Sequence, residues 1–371
     1  MRIIFCGGGT SGHVSPALGI ADAFRKASAD CSFLFIGRIG GKENDAVKKA
    51  GIDLKEISIE GLNRSHPLKN VKILANALDA RKNAIKIISD FAPDAVVGTG
   101  GYVCWPIISA AEKMNIPCFI HESNSSAGLT TRLLAKKCHK VFVGMHGPIE
   151  KLKNAVYPGN PIYSDFMKLN RISARRRLGI DSGTKMIISV GGSIGAEKLN
   201  ETAIKVLKKF SLKRKDVIHI HICGYRYYDI IKQKNPELCD KSSGSRIIAF
   251  SSDMPTLLHA ADAVITRCGA LTLSEIAYCR VPAILIPSPN VTGDHQRKNA
   301  YAHSMITHDT VIEENSLSAE MIISELENIF KVRHAPQNVP STVHSGNPPH
   351  PAETIMKIII DELNTLKKSE K

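Results

Sequence analysis

Residues able to do chemistry gather where the sequence turns. GGGTSGH (residues 7–13) follows the apolar run RIIFC, and His13 stands where a helix would open. Only glycine lets backbone approach an anion closely, and a helix after such a turn offers unpaired N–H groups and a positive dipole end. GTGGY (98–102) and GGSIGA (191–196) repeat the arrangement, while TRCGALTLSE (266–275) carries one glycine. Each loop alone is an ordinary tight turn. Several after strands point to a ligand bearing a diphosphate. An imidazole beside a diphosphate cradle can take a proton from a hydroxyl attacking the atom that the diphosphate leaves. Without such a ligand, His13 is a surface residue of a helix start.

Gly7-x-Gly9-x-x-Gly12 also satisfies the dinucleotide-binding spacing. That reading requires an acid at the end of the second strand to hold the ribose. CSFLFIG ends instead at Gly37-Arg38. Arg38 suits a 2′-phosphate, so an NADP-dependent oxidoreductase remains open, but nothing in it uses the second glycine loop. Thr272-x-x-Glu275 reads either as a helix capping box or as a site where Glu275 accepts hydrogen bonds from ribose hydroxyls. In DHQRKNA, Gln296 and Asn299 follow a strand and a Pro-containing loop, where sugar hydroxyls can be read. There is no DxD and no His/Cys/Asp cluster with metal-ligand spacing. Helix N-termini and side chains are therefore expected to meet leaving-group charge, with no metal or cofactor.

The elements that must position these groups alternate. RIIFC, CSFLFIG, DAVVGTG, PCFIHE and KVFVG are strand-like, and amphipathic stretches such as PALGIADAFRKA and PIISAAEKM separate them. This is the signature of βα units on a parallel sheet. Periodicity stops in YPGNPIYSDF, which places a linker near residues 157–165, and restarts with MIISVGGSIGAEKLNETAIKVL. The reading is α/β, two Rossmann-like doubly wound domains in tandem facing a central cleft, with ligands beyond the carboxyl ends of the strands. HAPQNVPSTVHSGNPPHPAET reads as a loop, and the chain ends in a helix with a lysine-rich tail. Residues 62–92 form a basic amphipathic helix that either packs its apolar stripe on a sheet or rests on anionic lipid.

Composition narrows the partners. The 371 residues exceed one ordinary core. Lys+Arg outnumber Asp+Glu by 49 to 35, a net +14 that suits an acidic partner. Few aromatics interleave with the basic residues, which disfavours nucleic acid. Nothing resembles a signal peptide or a run of roughly 18 apolar residues. The nine cysteines never form CxxC and read as reduced core residues.

Taken in order, GGGTSGHVSPALGIA, GTGGYVCWPIISAA, IPCFIHESNSSAGLTTRLLAK, SVGGSIGA, TRCGALTLSEIAYCRVPAILIPSP and DHQRKNA resemble the MurG family of family-28 glycosyltransferases, from residue 1 to about residue 305. The resemblance implies the GT-B fold. It places an acceptor- and membrane-side domain at 1–160, a UDP-sugar domain at 161–345, and a C-terminal helix and tail at 346–371. It implies transfer of GlcNAc from UDP-GlcNAc to undecaprenyl-linked lipid I, giving lipid II with inversion, at the anionic cytoplasmic face of the membrane and in contact with cell-wall synthesis complexes. His13 would be the base. Thr10, Ser11, Gly12, Asn124, Ser193, Phe250, Ser251, Ala270, Leu271, Thr272, Leu273, Ser274, Glu275 and Gln296 would bind the donor, with Phe250 and Ser251 by the uracil and Glu275 on the ribose. Gly100, Gly101, Tyr102, His121 and Glu122 would lie on the acceptor side. The chain departs from the family pattern at Ser11, Ser123, Ile194 and Tyr163, the last where an arginine is usual; Arg267 and Arg132 are candidate replacements. A UDP-GlcNAc 2-epimerase of the same fold, and a non-catalytic membrane or interaction protein, are the competing readings.

Overall fold

A computed structural model describes the chain apart from Thr10, Lys42, Glu43, residues 62–69, Tyr163, Ser193, residues 241–243, residues 333–349, Glu370 and Lys371. The chain divides into two compact units, Met1–Tyr163 with Pro348–Lys371, and Ser164–Asn347.

In unit 1, β1 (Arg2–Cys6), α1 (Ser11–Ala27), β2 (Ser32–Arg38), α2 (Asn44–Lys49), β3 (Asp53–Ile57) and α3 (Asn70–Phe91) are followed by β4 (Ala95–Gly98) and α4 (Cys104–Lys113). Then come β5 (Cys118–Glu122), α5 (Leu129–Leu134), β6 (Lys140–Val143) and β7 (Ala155–Val156). The described strands form one parallel sheet in the order β3-β2-β1-β4-β5-β6-β7. Strand residues alternate between its two faces. Ile3 and Phe5 pack with Val14, Ile20 and Phe24 of α1, whereas Ile4 and Cys6 pack with Ala84 and Ile88 of α3 and Ile107 of α4. Both faces of β1, β2 and β4 are covered, which is why the runs IIFC, FLFIG and AVVG are apolar throughout and not alternately polar.

Unit 2 repeats the plan. It contains α6 (Arg171–Leu178), β8 (Lys185–Val190), α7 (Glu197–Lys209), β9 (Val217–Ile222), α8 (Tyr225–Lys234), β10 (Arg246–Ile248) and α9 (Met254–Ala260). After these come β11 (Ala263–Thr266), α10 (Ala270–Cys279), β12 (Ala283–Leu285), α11 (His295–Thr307), β13 (Thr310–Val311) and α12 (Ala319–Val332). Its parallel sheet runs β10-β9-β8-β11-β12-β13. Buried Asp262 anchors α6 to this sheet by accepting from Arg171 at 2.9 Å, Arg175 at 3.2 Å and the Met186 amide at 2.9 Å.

The last helix, α13 (Pro351–Ser369), belongs to unit 1, where Ile355, Ile359 and Leu363 join the α1 side of the core. His350 pins its start. Its Nδ1 accepts from the Ala352 amide at 3.1 Å, so Nε2 carries the proton and donates to Ile162 O at 3.0 Å. The loop read over 334–354 lies largely outside the described residues. None of the nine cysteines is in a disulfide.

Candidate functional site

In each sheet the order in which strands are added reverses beside the first strand, at β1/β4 in unit 1 and β8/β11 in unit 2, while all strands stay parallel. Crevices open at such switch points, beyond the carboxyl ends of the strands. The loops there are GGGTSGH and GTGGY in the first sheet, GGSIGA and TRCGALTLSE in the second.

In unit 1 the two loops interlock around His13. A Cβ on Gly7 would stand 2.5 Å from Thr99 Oγ1, and one on Gly101, which has φ +83°, would collide with Gly8 O. A Cβ on Gly100 would come within 2.7 Å of His13 Cδ2. Thr99 Oγ1 donates to His13 O at 2.5 Å, which fixes the backbone. The ring is fixed by Nδ1, 2.9 Å from Gly8 O. A carbonyl only accepts, so Nδ1 carries the proton and a neutral ring presents its lone pair on Nε2.

The neighbouring strand β5 ends at His121-Glu122 and runs into the loop Ser123-Asn124. The Glu122 carboxylate is committed to this loop. It accepts from the Asn124 amide at 3.2 Å and Asn124 Nδ2 at 2.9 Å, and from the Gly128 amide at 3.0 Å and Thr131 Oγ1 at 2.7 Å. Glu122 therefore positions Asn124 and the start of α5. His121 is fully enclosed, and burial pushes its pKa down to about 4; the nearby His13 lowers it too, while Glu122 and the Gly159 backbone oppose this.

In unit 2 the GGSIGA loop carries φ +87° at Gly192 and +86° at Gly195. A side chain on Gly195 would collide with Cys223 O, and one on Gly224 would stand 2.5 Å from Gly195 N. Beneath this contact runs a directional chain of hydrogen bonds. Asn200 Nδ2 donates to Cys223 O at 3.0 Å, so its Oδ1 accepts from His221 Nε2 at 3.1 Å. His221 Nδ1 then accepts from Ser189, which accepts from His219 Nε2, both at 2.8 Å, and His219 Nδ1 accepts from Ser211 at 3.0 Å. Both imidazoles are buried and neutral, with burial pushing His219 down to about 3 and His221 to about 4.

Helix α7 starts after Ala196 and α10 after Gly269, neither with a side-chain cap. Their first N–H groups are thus available to an anion. Gln296 Oε1 bridges the loops after β11 and β12 by accepting from Cys268 N at 3.3 Å and Ser288 N at 3.0 Å. Glu275, half-buried on α10, makes no hydrogen bond or ion pair among the described residues, and burial raises its pKa to about 7. Phe250, 47% exposed, stacks on Tyr225, 66% exposed, with centroids 5.4 Å apart and planes 19° from parallel.

Residues 3–143 match the glycosyltransferase family 28 N-terminal domain and residues 186–350 the family 28 C-terminal domain. The chain belongs to glycosyltransferase family 28. Within family 28 it is 34% identical to the UDP-N-acetylglucosamine–N-acetylmuramyl-(pentapeptide) pyrophosphoryl-undecaprenol N-acetylglucosamine transferase of Acetivibrio thermocellus, over 97% of this chain and 98% of that one. The crystal structure of Acinetobacter baumannii MurG is similar with TM-score 0.72 and 25% identity, covering 97% of this chain and 99% of that one. A Listeria monocytogenes structure described as a putative UDP-N-acetylglucosamine 2-epimerase is similar at TM-score 0.67 and 11% identity, covering 99% of this chain and 97% of that one. That likeness shows the shared fold alone. Family-28 membership sets aside both the oxidoreductase and the epimerase readings.

The other expected residues take the following places, and one local reading changes. The Thr272–Glu275 capping box does not exist, because α10 begins at Ala270 and both residues lie inside the helix. Ser274 Oγ donates to Ala270 O at 3.1 Å, back into its own helix. Ser251 Oγ accepts from Asp253 N at 3.2 Å at the start of α9. Arg267, a candidate for the missing arginine, is engaged within unit 2: it donates to Ile286 O and Pro287 O and pairs with Glu314. Arg132 is exposed on α5 and makes no ion pair among the described residues. Thr10, Ser193 and Tyr163 lie outside the described residues. Ala270, Leu271 and Leu273 form the uncapped first turn of α10, with Leu273 wholly buried beneath it. Ser11 and Gly12 open α1. His121 and Glu122, expected on the acceptor side, are buried, so they support the loop and are not an open surface. Tyr225, which stacks on Phe250, is not among the expected residues; its signal is an aromatic directly after Gly224, two residues past β9 at the start of α8.

Proposed function

We propose that the protein transfers GlcNAc from UDP-GlcNAc to undecaprenyl-pyrophosphoryl-MurNAc-pentapeptide, lipid I, and forms lipid II. The observation that carries this is similarity over 97% of the chain to a transferase of that name, combined with paired loops at both switch points. Unit 2 takes the donor. The diphosphate meets the N-termini of α7 and α10, Glu275 accepts from the ribose hydroxyls, and the base stacks at Phe250. Unit 1 takes the acceptor and supplies His13. The C4 hydroxyl oxygen of MurNAc attacks the anomeric carbon, and its proton passes to His13 Nε2. The bond from that carbon to the diphosphate oxygen breaks, and UDP leaves with the electron pair. Attack opposite the leaving group inverts the centre. Gln296, held between two loops, reads the sugar hydroxyls, and Asn124, oriented by Glu122, contacts the transferred sugar.

The enzyme works as a peripheral protein on the anionic cytoplasmic leaflet. Among the described residues no helix is long and apolar enough to cross a membrane. Helix α3 packs Ala80, Ala84 and Ile88 into the core but leaves Val71 73% and Leu78 53% exposed beside exposed Lys82 and Lys86. The start of the basic stretch, 62–69, lies outside the described residues.

The test is release of UDP from UDP-GlcNAc with and without a lipid I analogue. Release is expected only with acceptor; formation of UDP-ManNAc without acceptor would favour epimerisation. His13→Ala is expected to lower kcat by about 10²–10⁴-fold at saturating substrates. Near wild-type turnover would remove His13 from the role of base.

A further inference from the structure

Arg38 is left unexplained by the donor site and by the interlocked loops. It ends β2, next to β1 in the sheet, so its side chain emerges at the same carboxyl edge as GGGTSGH and GTGGY. Its Nη1 donates to the Tyr102 hydroxyl at 3.3 Å. The Tyr102 ring in turn lies against both Gly9 and Gly61, since a Cβ there would come within 3.4 Å and 3.0 Å of it. Arg38 is thereby tied to the loops that hold His13.

No carboxylate among the described residues pairs with it. The nearest acid on β3, Glu56, directs Oε1 to Gly40 N at 3.0 Å and Asn44 Nδ2 at 2.7 Å. Among the described residues this half-buried guanidinium has one long bond, to a neutral hydroxyl, which leaves its charge uncompensated and the rest of its fork open there, an unfavourable state unless an anion completes it. The fork matches the paired oxygens of phosphate, and the adjoining glycine loops and α1 N-terminus favour the same charge.

We propose that Arg38 binds the diphosphate of the lipid-linked acceptor, with Tyr102 steadying the guanidinium beside the glycine loops. This rests on the function proposed above. It also gives Arg38 a phosphate to bind without a nicotinamide cofactor.

The experiment is steady-state kinetics with UDP-GlcNAc and a soluble, short-chain diphosphate-linked analogue of lipid I. Arg38→Gln is expected to raise the acceptor KM about 10- to 100-fold, with kcat and the donor KM within about twofold of wild type. Arg38→Lys, which keeps the charge and loses the fork, should recover part of the loss. Inorganic pyrophosphate should compete with the acceptor in the wild type and at least tenfold more weakly in Arg38→Gln. An unchanged acceptor KM overturns the inference, as does a joint fall of kcat and rise of both KM values, which would mark Arg38 as a brace for Tyr102. Weaker binding of Arg38→Gln to phosphatidylglycerol vesicles with an unchanged KM for the soluble acceptor would assign the anion to lipid headgroups and also overturn it. Absence of wild-type turnover would instead refute the proposed function.

Discussion

Replacing Glu275 with glutamine should weaken donor binding and stabilise the fold at once. The carboxylate is half-buried and has no partner among the described residues, and burial alone raises its pKa from 4.5 to about 7. If the ionised form accepts the ribose hydroxyls, the competent fraction of free enzyme sets the apparent donor KM, which scales as 1 + 10^(pKa − pH). The factor is about 11 at pH 6 and about 1.1 at pH 8, so the wild-type donor KM should fall about tenfold between them. Glu275→Gln cannot ionise and should show a flat profile. It exchanges two charge-assisted hydrogen bonds for neutral ones, a loss of about 2–3 kcal/mol, or about 30- to 150-fold in KM at pH 8.

Stability should move the opposite way. A carboxyl whose folded pKa lies above its unfolded value binds more protons when folded, so it loses stability as pH rises from about 4.5 through 7. The lost stability is on the order of 3 kcal/mol above that window. Glu275→Gln should therefore melt several degrees above wild type at pH 8, at roughly 2–4 °C per kcal/mol, and together with it near pH 4. Initial rates across pH 6–8 and calorimetric melts read the two effects. A wild-type donor KM independent of pH, or a glutamine variant less stable at pH 8, would refute the assignment.

Three other outcomes follow from the same geometry. Gly101→Ala adds a Cβ that collides with Gly8 O at a φ of +83°, so turnover should collapse while far-UV dichroism keeps its helical signal. Phe250→Ala and Tyr225→Ala should each raise the KM for UDP-GlcNAc about 5- to 100-fold at constant kcat, the range of one base–aromatic stack; an unchanged KM would detach the pair from the nucleotide. Acid should destabilise the protein before its carboxylates are exhausted. His219 near 3, and His121 and His221 near 4, sit below the 6.5 of an unfolded histidine. Their stabilising effect is complete above about pH 6.5 and is lost as pH falls toward 4, at about 1.4 kcal/mol per pH unit for each; Glu275 opposes one of the three, and pH-dependent melting reads the net slope.

Much of the fold is legible because strand, glycine turn and helix leave separate marks on the sequence. Fully apolar runs such as IIFC mean a sheet covered on both faces, and right-handed βα crossovers then produce the observed strand orders. Less of the site is legible, because its decisive facts are pairings over long separations. The charge of Arg267 is visible, but its partner Glu314 stands 47 residues away on the far side of β13. Phe250 and Tyr225 meet only because β9 and β10 pair in one register. Thr272-x-x-Glu275 has the same spacing at a helix start and inside a helix, and only the first residue of α10 decides between them.

The glycines themselves call for a narrower interpretation than their motifs invite. Gly101 must lack a side chain because Gly8 O occupies the space, and Gly195 because Cys223 O does. Both would be required by the protein's own backbone with no ligand bound. Glycine loops therefore mark where a parallel sheet opens, which is why the dinucleotide spacing matched a chain of family 28. On the proposed function, ligand chemistry is carried by the charged groups that have no counter-charge among the described residues. Glu275 in unit 2 suits hydroxyl donors and Arg38 in unit 1 suits an anion, a complementary pair for a sugar nucleotide and a diphosphate-linked acceptor.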